Sequence, residues 1–261
     1  MKAITLSSCI IGLVAGTFGG LIGIGGGIIM VPLMVEILKL PQHKAHGTSL
    51  VALVFTGISG SITYALNGSI DIKAAALLAL TAIMTASLGA RYAGSLTEQK
   101  LKKAFGAFLL FCAALLFLKL YLPNVVVSDD AKPVIYLTTG ALTGFLSGMM
   151  GVGGGTIMIP VMVILAGFTQ HVAQGTSLLV MIPSGAVGAL THWKMGNTEQ
   201  GILWGLIPGI LLGTYIGGTV ANIIPNDTLR LIFAGMLIFL GIRYFGMSSP
   251  RRISQGWFWK K

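Results

Sequence analysis

Charge is scarce in this chain of 261 residues: Asp, Glu, Lys and Arg together make up 9%, against about a quarter in soluble domains. With 54% hydrophobic side chains and a mean hydropathy of +0.88, that shortage excludes a soluble globular domain and puts the chain in a bilayer. Acidic residues are rarest. All seven, Glu36, Asp71, Glu98, Asp129, Asp130, Glu199 and Asp227, fall in loops or near the ends of apolar runs. A carboxylate relay in mid-membrane, as used by many proton-coupled carriers, is therefore missing. The two cysteines, Cys9 and Cys112, lie inside apolar runs without a spacing motif, which excludes a disulfide framework and a metal knuckle. No cofactor or metal is expected. The net charge of +10 is spread over short loops and a tail, with no dense basic stripe, so nucleic acid is not a partner. Twelve methionines read as adaptable packing rather than as a copper site.

What is present is a set of apolar runs, roughly 3–38, 47–66, 74–90, 104–122, 134–166, 175–193, 201–222 and 231–247. The first and fifth are too long for one crossing, and each carries a glycine cluster in its middle. The halves align at a constant offset of 128 residues. GGLIGIGGGIIMVPLM at 19–34 matches SGMMGVGGGTIMIPVM at 147–162 in nine of sixteen places, and HKAHGTSL at 43–50 matches HVAQGTSL at 171–178 in six of eight. Gly12, Gly16 and Gly20 return as Gly140, Gly144 and Gly148; Gly57, Gly60 and Gly68 return as Gly185, Gly188 and Gly196. The division is a first repeat over 1–122, a polar linker over 123–133, a second repeat over 134–247 and a basic, aromatic tail over 248–261. Because the N-terminal segment recurs internally around 131–148, it belongs to the fold and is not a signal peptide.

A 36-residue run would make about 54 Å of helix against a hydrocarbon core of about 30 Å. Each long segment must therefore be a broken helix or a re-entrant hairpin turning at the glycines. Either way three further spans follow in each half, giving an all-α polytopic membrane protein. Charge separates the alternatives. With hairpins, thirteen of the seventeen Lys and Arg fall on one side and only Lys73, Lys119, Lys132 and Arg230 on the other; eight simple spans give a weak bias. The positive-inside rule thus favours hairpins, inverted repeats and both termini on the cytoplasmic side.

A chain that turns at glycines inside the membrane leaves the first N–H groups of its returning helix unpaired at a positive dipole end. That arrangement suits an anion. The expected binding residues are Gly25, Gly26 and Gly27 with Gly153, Gly154, Gly155 and Thr156. The repeated GTS adds Thr48, Ser49, Thr176 and Ser177, which either cap the helix they open or donate to the anion. Gly12, Gly16 and Gly20 read as helix packing, and small-residue stripes of this kind permit a homodimer. His43, His46 and His171 read as loop residues. His192, which matches Tyr64, and Gln174, which matches His46, are candidate gate residues with those partners. The cluster lacks the strand, acidic residue or lysine of nucleotide-binding loops.

The motif G-x-x-G-x-G-G-G at 20–27 and 148–155, each followed by Pro32 or Pro160 and then GTS, resembles the TauE/SafE family of sulfite exporters over nearly the whole chain. The resemblance implies export of a small sulfur-containing or organic anion, such as sulfite or sulfoacetate. The leading expectation is a secondary transporter working by alternating access around the glycine tips. An anion channel shares the site. A remote third reading is an intramembrane hydrolase using Ser59 of Gly57-Ile58-Ser59-Gly60 with His192 as base.

Overall fold

The computed structural model describes residues 2–92, 127–151 and 153–246, together with single positions between 106 and 117. Cys112, Glu98, residues 123–126 of the linker, the tail beyond 246 and several of the lysines and arginines that weigh in the charge count lie outside the described residues. Nine helices are complete among the described residues: α1 (Lys2–Ile22), α2 (Gly27–Glu36), α3 (Gln42–Ala65), α4 (Ile72–Tyr92), α5 (Lys132–Met150), α6 (Gly155–Ile164), α7 (Gln170–Lys194), α8 (Gln200–Ile223) and α9 (Asn226–Gly246). Helices α1, α3, α4, α7 and α8 are long and apolar enough to cross a membrane. Helices α2 and α6 have 10 residues each, about 15 Å, half of a hydrocarbon core.

The long apolar runs are thus broken into unequal arms, 21 and 10 residues in the first, rather than into two half-helices. The return arm doubles back on the first. A Cβ on Gly19 would stand 2.8 Å from the Gly26 nitrogen, and one on Gly26 would strike the Ala15 carbonyl. At the offset of 128, Gly154 lies against Thr143, though against its side chain rather than its backbone.

Glycine contacts also give the helix directions. Gly12, Gly16 and Gly20 of α1 face Leu206, Ile210 and Thr214 of α8, while Gly205, Gly209, Gly213 and Gly217 of α8 face the carbonyls of Thr5, Cys9, Leu13 and Thr17. Numbers rise together along this seam, so the two helices run parallel. Gly140, Gly144 and Gly148 of α5 face Leu78, Ala82 and Ala86 of α4 in the same sense. Such backbone contact needs glycine on one side, the small-xxx-small packing of membrane helices. The stripes pack inside the molecule and give no argument for a dimer. Between α3 and α7 the numbers run oppositely: Gly57 meets Leu178 and Gly185 meets Leu50 and Val54. These two central helices are antiparallel, the pairing that an inverted arrangement requires.

Each half's first helix is therefore married to the other half's fourth. Apolar contacts follow the same grouping. One cluster joins Ile11, Ala15, Met30, Met34, Ala52, Leu206 and Ile210 from α1, α2, α3 and α8. The largest cluster joins α4, α5, α6 and α7 with α9, through residues such as Leu78, Met149, Met158, Val180 and Phe233, and reaches Ile22, Ile24 and Ile28 at the first tip. Outward-facing side chains such as Leu6, Ile10, Leu142, Trp204 and Phe239 are exposed and apolar, as a lipid-facing surface is.

Candidate functional site

The two turns between hairpin arms meet at the centre of the molecule. Gly23, Gly25 and Gly26 have φ of 74°, 90° and 76°, and Gly151 and Gly153 have 64° and 83°, values that side chains with a Cβ avoid. Gly154, by contrast, has φ −82°, so the tips are similar but not identical. Their backbones touch: a Cβ on Gly153 would crowd the Ile24 carbonyl, and one on Gly155 would strike the Gly23 carbonyl. Residues 22–28 and 153–160 are all buried. The tips lie against Leu53 and Met181, the middle residues of the central helices.

Neither returning helix has a side-chain cap. The Gly26 carbonyl takes the N–H of Ile29 and Met30, and the Gly154 carbonyl takes those of Ile157 and Met158. The N–H groups of Gly27 and Ile28, and of Gly155 and Thr156, precede the first intrahelical bond and keep the free, positive end of the dipole. The expected binding residues Gly25, Gly26, Gly27, Gly153, Gly154, Gly155 and Thr156 are thus in one place.

The GTS residues join them, in a manner different from that expected. Helices α3 and α7 begin at Gln42 and Gln170, five residues before the GTS, so these hydroxyls do not cap their own helices. Thr48 Oγ1 instead accepts the Glu199 N–H at 2.9 Å, at the start of α8, and Thr176 Oγ1 accepts the Asp71 N–H at 3.0 Å, at the start of α4. They are caps in trans. Ser177 Oγ donates to the Gly23 carbonyl at 2.7 Å, with the Gln174 carbonyl of its own helix at 2.9 Å as the second acceptor. Ser49 does the same to Gly151 at 2.8 Å, with His46 at 2.8 Å behind it. Each central helix thereby holds the tip of the opposite half.

The same helix starts correct the placement of His43, His46 and His171, which lie in the first turns of α3 and α7 and not in loops. His171 Nε2 donates to the Ala221 and Ile224 carbonyls at 3.0 and 3.1 Å, closing the end of α8. It lines an open polar cavity of about 290 Å³ with Asn67, Ser69, Thr169, Asn222 and Asn226.

The four gate candidates flank the tips. Tyr64, fully buried, sets its hydroxyl 2.8 Å from Gln174 Oε1 and 3.0 Å from the Gly20 carbonyl. Its partner position His192 donates through Nε2 to the Gly148 carbonyl at 3.3 Å. Tyr64 and Gln174 thus close over one tip, and His192 closes over the other beside Gly47, one residue from His46. Ser59 and His192 have separate partners, since Ser59 Oγ donates to the Leu211 carbonyl at 2.8 Å and ties α3 to α8.

Sequence reasoning missed three residues here, Leu53, Met181 and Thr143, and the open donor on the gate candidate Gln174. Leu53 and Met181 cover both tips; the offset of 128 that relates them was available as a signal. Gln174 Nε2 and Thr143 Oγ1 are buried without a hydrogen-bond partner among the described residues, the first on a side chain against Gly23, the second on one against Gly154. No local motif marks Thr143, whose repeat partner is Ala15.

Comparison with known proteins gives the same picture of a transporter. The sequence model of the family described as "Sulfite exporter TauE/SafE" matches residues 8–244. Relatives include the "Probable membrane transporter protein YunE" of Bacillus subtilis, 28% identical over 256 residues and covering 89% of this chain and 94% of the relative. Another is the "Probable membrane transporter protein MJ0441" of Methanocaldococcus jannaschii, 27% identical, covering 89% and 92%. A third, the "Probable membrane transporter protein ORF9" of a Sinorhizobium species, is 30% identical and covers 93% of each chain. No solved structure matches.

Proposed function

Because the chain belongs to the sulfite exporter TauE/SafE family of membrane transporters, not of enzymes, we propose that it is a secondary carrier exporting a small anion, sulfite or an organosulfonate such as sulfoacetate, across the bacterial plasma membrane, with both termini cytoplasmic. The observation that carries this reading is the meeting of two uncapped helix N-termini at the middle of α3 and α7, where the N–H groups of Gly27, Ile28, Gly155 and Thr156 precede the first intrahelical bonds. The unpartnered Gln174 Nε2 and Thr143 Oγ1 add two donors beside the tips. No buried cation stands there among the described residues, so the ligand's charge would be met by dipoles and hydrogen bonds alone.

The halves, read as inverted repeats, exchange helices, so the moving bodies would not be the halves themselves. One body would be α1, α2, α3 and α8; the other would be α4, α5, α6 and α7. Between them lie the α3–α7 contact and the glycine tips. Opening would require Gly23 and Gly151 to leave Ser177 and Ser49. Both hydroxyls keep a second acceptor in their own helices, so the serines lose nothing when the tips depart. The Tyr64–Gln174 pair would gate one mouth and His192 with His46 the other. Tips that are buried and in backbone contact favour a carrier over a channel, which shares the site.

The test is uptake of labelled sulfite into proteoliposomes, with sulfate and sulfoacetate as competitors, for the wild-type protein and for Gly154→Leu. Saturable, counter-transportable flux that is lost in a folded variant supports the carrier. Flux that Gly154→Leu retains removes the tips from the pathway, and no flux of any of these anions from folded wild-type protein removes the substrate class.

A further inference from the structure

The space where an anion would touch both tips is already filled by two side chains. Met181 Sδ stands 2.7 Å from the place a Cβ on Gly25 would take and 3.4 Å from that on Gly153, and its methyl is 3.0 Å from that on Gly155. Leu53 reaches two of these glycines, with Cδ2 3.5 Å from the Cβ position of Gly153 and closer still to that of Gly25. Both residues are 1% exposed, and they are related by the offset of 128, so the pair straddles the axis of the repeat. Other leucine and methionine side chains also meet glycines, Leu178 at Gly60, Leu50 at Gly188 and Met158 at Gly154, but Leu53 and Met181 meet glycines of both tips. These two press on bare backbone, at the glycines whose N–H groups adjoin the free ends of the dipoles.

We propose that Leu53 and Met181 form a two-part plug that occupies the substrate position in the closed state and sets the size of anion the site accepts. The inference rests on the anion-carrier reading above. A ligand can reach the N–H groups of the tips only after the plug withdraws, and the two sides withdraw differently. Met181 is unbranched, with a thioether that bends around obstacles, whereas Leu53 is short and branched. Met181 is therefore the movable side and Leu53 the fixed wall. The volume swept by the Met181 thioether and methyl is the volume left to the ligand, which fits a compact pyramidal or tetrahedral oxyanion and penalises a substituent on it. The plug also explains how the closed centre can be both dry and positive: apolar atoms cover the dipole ends until an anion replaces them.

Met181→Ala, Met181→Leu and Leu53→Ala are compared with wild type in proteoliposomes for the ratio of kcat/KM between sulfoacetate and sulfite. Met181→Ala is expected to shift that ratio toward the larger anion by roughly tenfold or more, the scale on which an apolar wall discriminates. Met181→Leu, which copies the Leu53 side, is expected to restore most of the discrimination, and this rescue separates a selectivity role from loss of packing. A wild-type ratio in both alanine variants overturns the proposal. A second measurement does not depend on the substrate. In a Cys9→Ser, Cys112→Ser background, Met181→Cys is exposed to a small, membrane-impermeant sulfonate thiol reagent. Labelling is expected as the tips open, and its absence in folded protein overturns the plug even if sulfite is carried. Labelling without any anion flux leaves the plug standing and removes the anion reading instead.

Discussion

Removing the Ser177 hydroxyl should loosen a turn 154 residues away in the chain and leave its own neighbourhood nearly untouched. In the closed structure Ser177 Oγ supplies a hydrogen to the Gly23 carbonyl at 2.7 Å, both groups being buried. Hydrogen bonds inside membrane proteins contribute about 0.6 kcal/mol on average and up to about 1.7, and a buried carbonyl left without a donor costs about 1–3 kcal/mol. Ser177→Ala should therefore destabilise the closed tip by about 1 kcal/mol. The open tip, whose carbonyl reaches water, should lose nothing. A difference of about 1 kcal/mol is about a fivefold shift toward the open tip, and about 2 kcal/mol in Ser49→Ala/Ser177→Ala is about thirtyfold. Hydrogen–deuterium exchange in lipid nanodiscs reads this directly, because exchange from a local opening scales with the open population. Ser177→Ala should speed exchange in peptides covering 20–30 and leave those covering 148–158 at the wild-type rate; Ser49→Ala should do the reverse. Equal acceleration of both regions, or none at the tip that lost its donor, would refute the reasoning.

Four further outcomes follow from the geometry. Gly26→Ala should be worse than Gly154→Ala in thermal unfolding and in flux, because Gly26 has φ 76° and abuts the Ala15 carbonyl whereas Gly154 has φ −82° and meets the Thr143 side chain; the left-handed position alone costs about 1–3 kcal/mol. Tyr64→Phe strips the Gly20 carbonyl and Gln174 Oε1 of a donor and should lower stability by about 1–2 kcal/mol, measured by the melting temperature in detergent. The half-exposed Lys44–Glu199 bridge at 2.8 Å should be worth less than about 1 kcal/mol and fade with salt, so Lys44→Met should change the melting temperature only at low ionic strength. Lys132, by hydrogen bond and charge, holds the exposed Asp129 carboxyl below its ordinary 3.8. Its small contribution is present above that value and is lost as pH falls through the lower folded value, so Asp129→Asn should lower stability slightly at neutral pH, leave it unchanged at low pH and so flatten the acid limb of a stability curve.

Some of this was legible in the sequence because it follows from length and repetition. A 36-residue apolar run cannot be one straight crossing, and the glycines at 23–27 and 151–155 are where the chain turns. The offset of 128 pairs Ser49 with Ser177 and Thr48 with Thr176, which marked them as a set before their partners were known. Those partners were not readable. Thr48 caps a helix that begins 151 residues later, and nothing near Thr48 in the sequence announces Glu199. Polarity misplaced the starts of α3 and α7: Gln42, His43, Lys44 and His46 look like a loop, yet they form helical turns where the chain leaves the apolar core. Leu53 and Met181 were hidden for the opposite reason. An apolar residue in an apolar helix carries no local mark, and its role comes from facing glycine backbone on another element.

The exchange of first and fourth helices has a consequence for how the chain is made. The glycine face of α1 finds its partner only in α8, whose Leu206 is synthesised 194 residues after Gly12. At about 5–20 residues per second, α1 waits some 10–40 s in the membrane with its backbone stripe covered by lipid alone, whereas α4 meets α5 much sooner. The second repeat thus completes the first when α8 slides alongside the oldest helix. A ribosome that stalls before α8 would leave the glycine face of α1 as an open seam, a natural substrate for membrane quality control. Two separately expressed halves would be unstable alone and would assemble only by trading those helices.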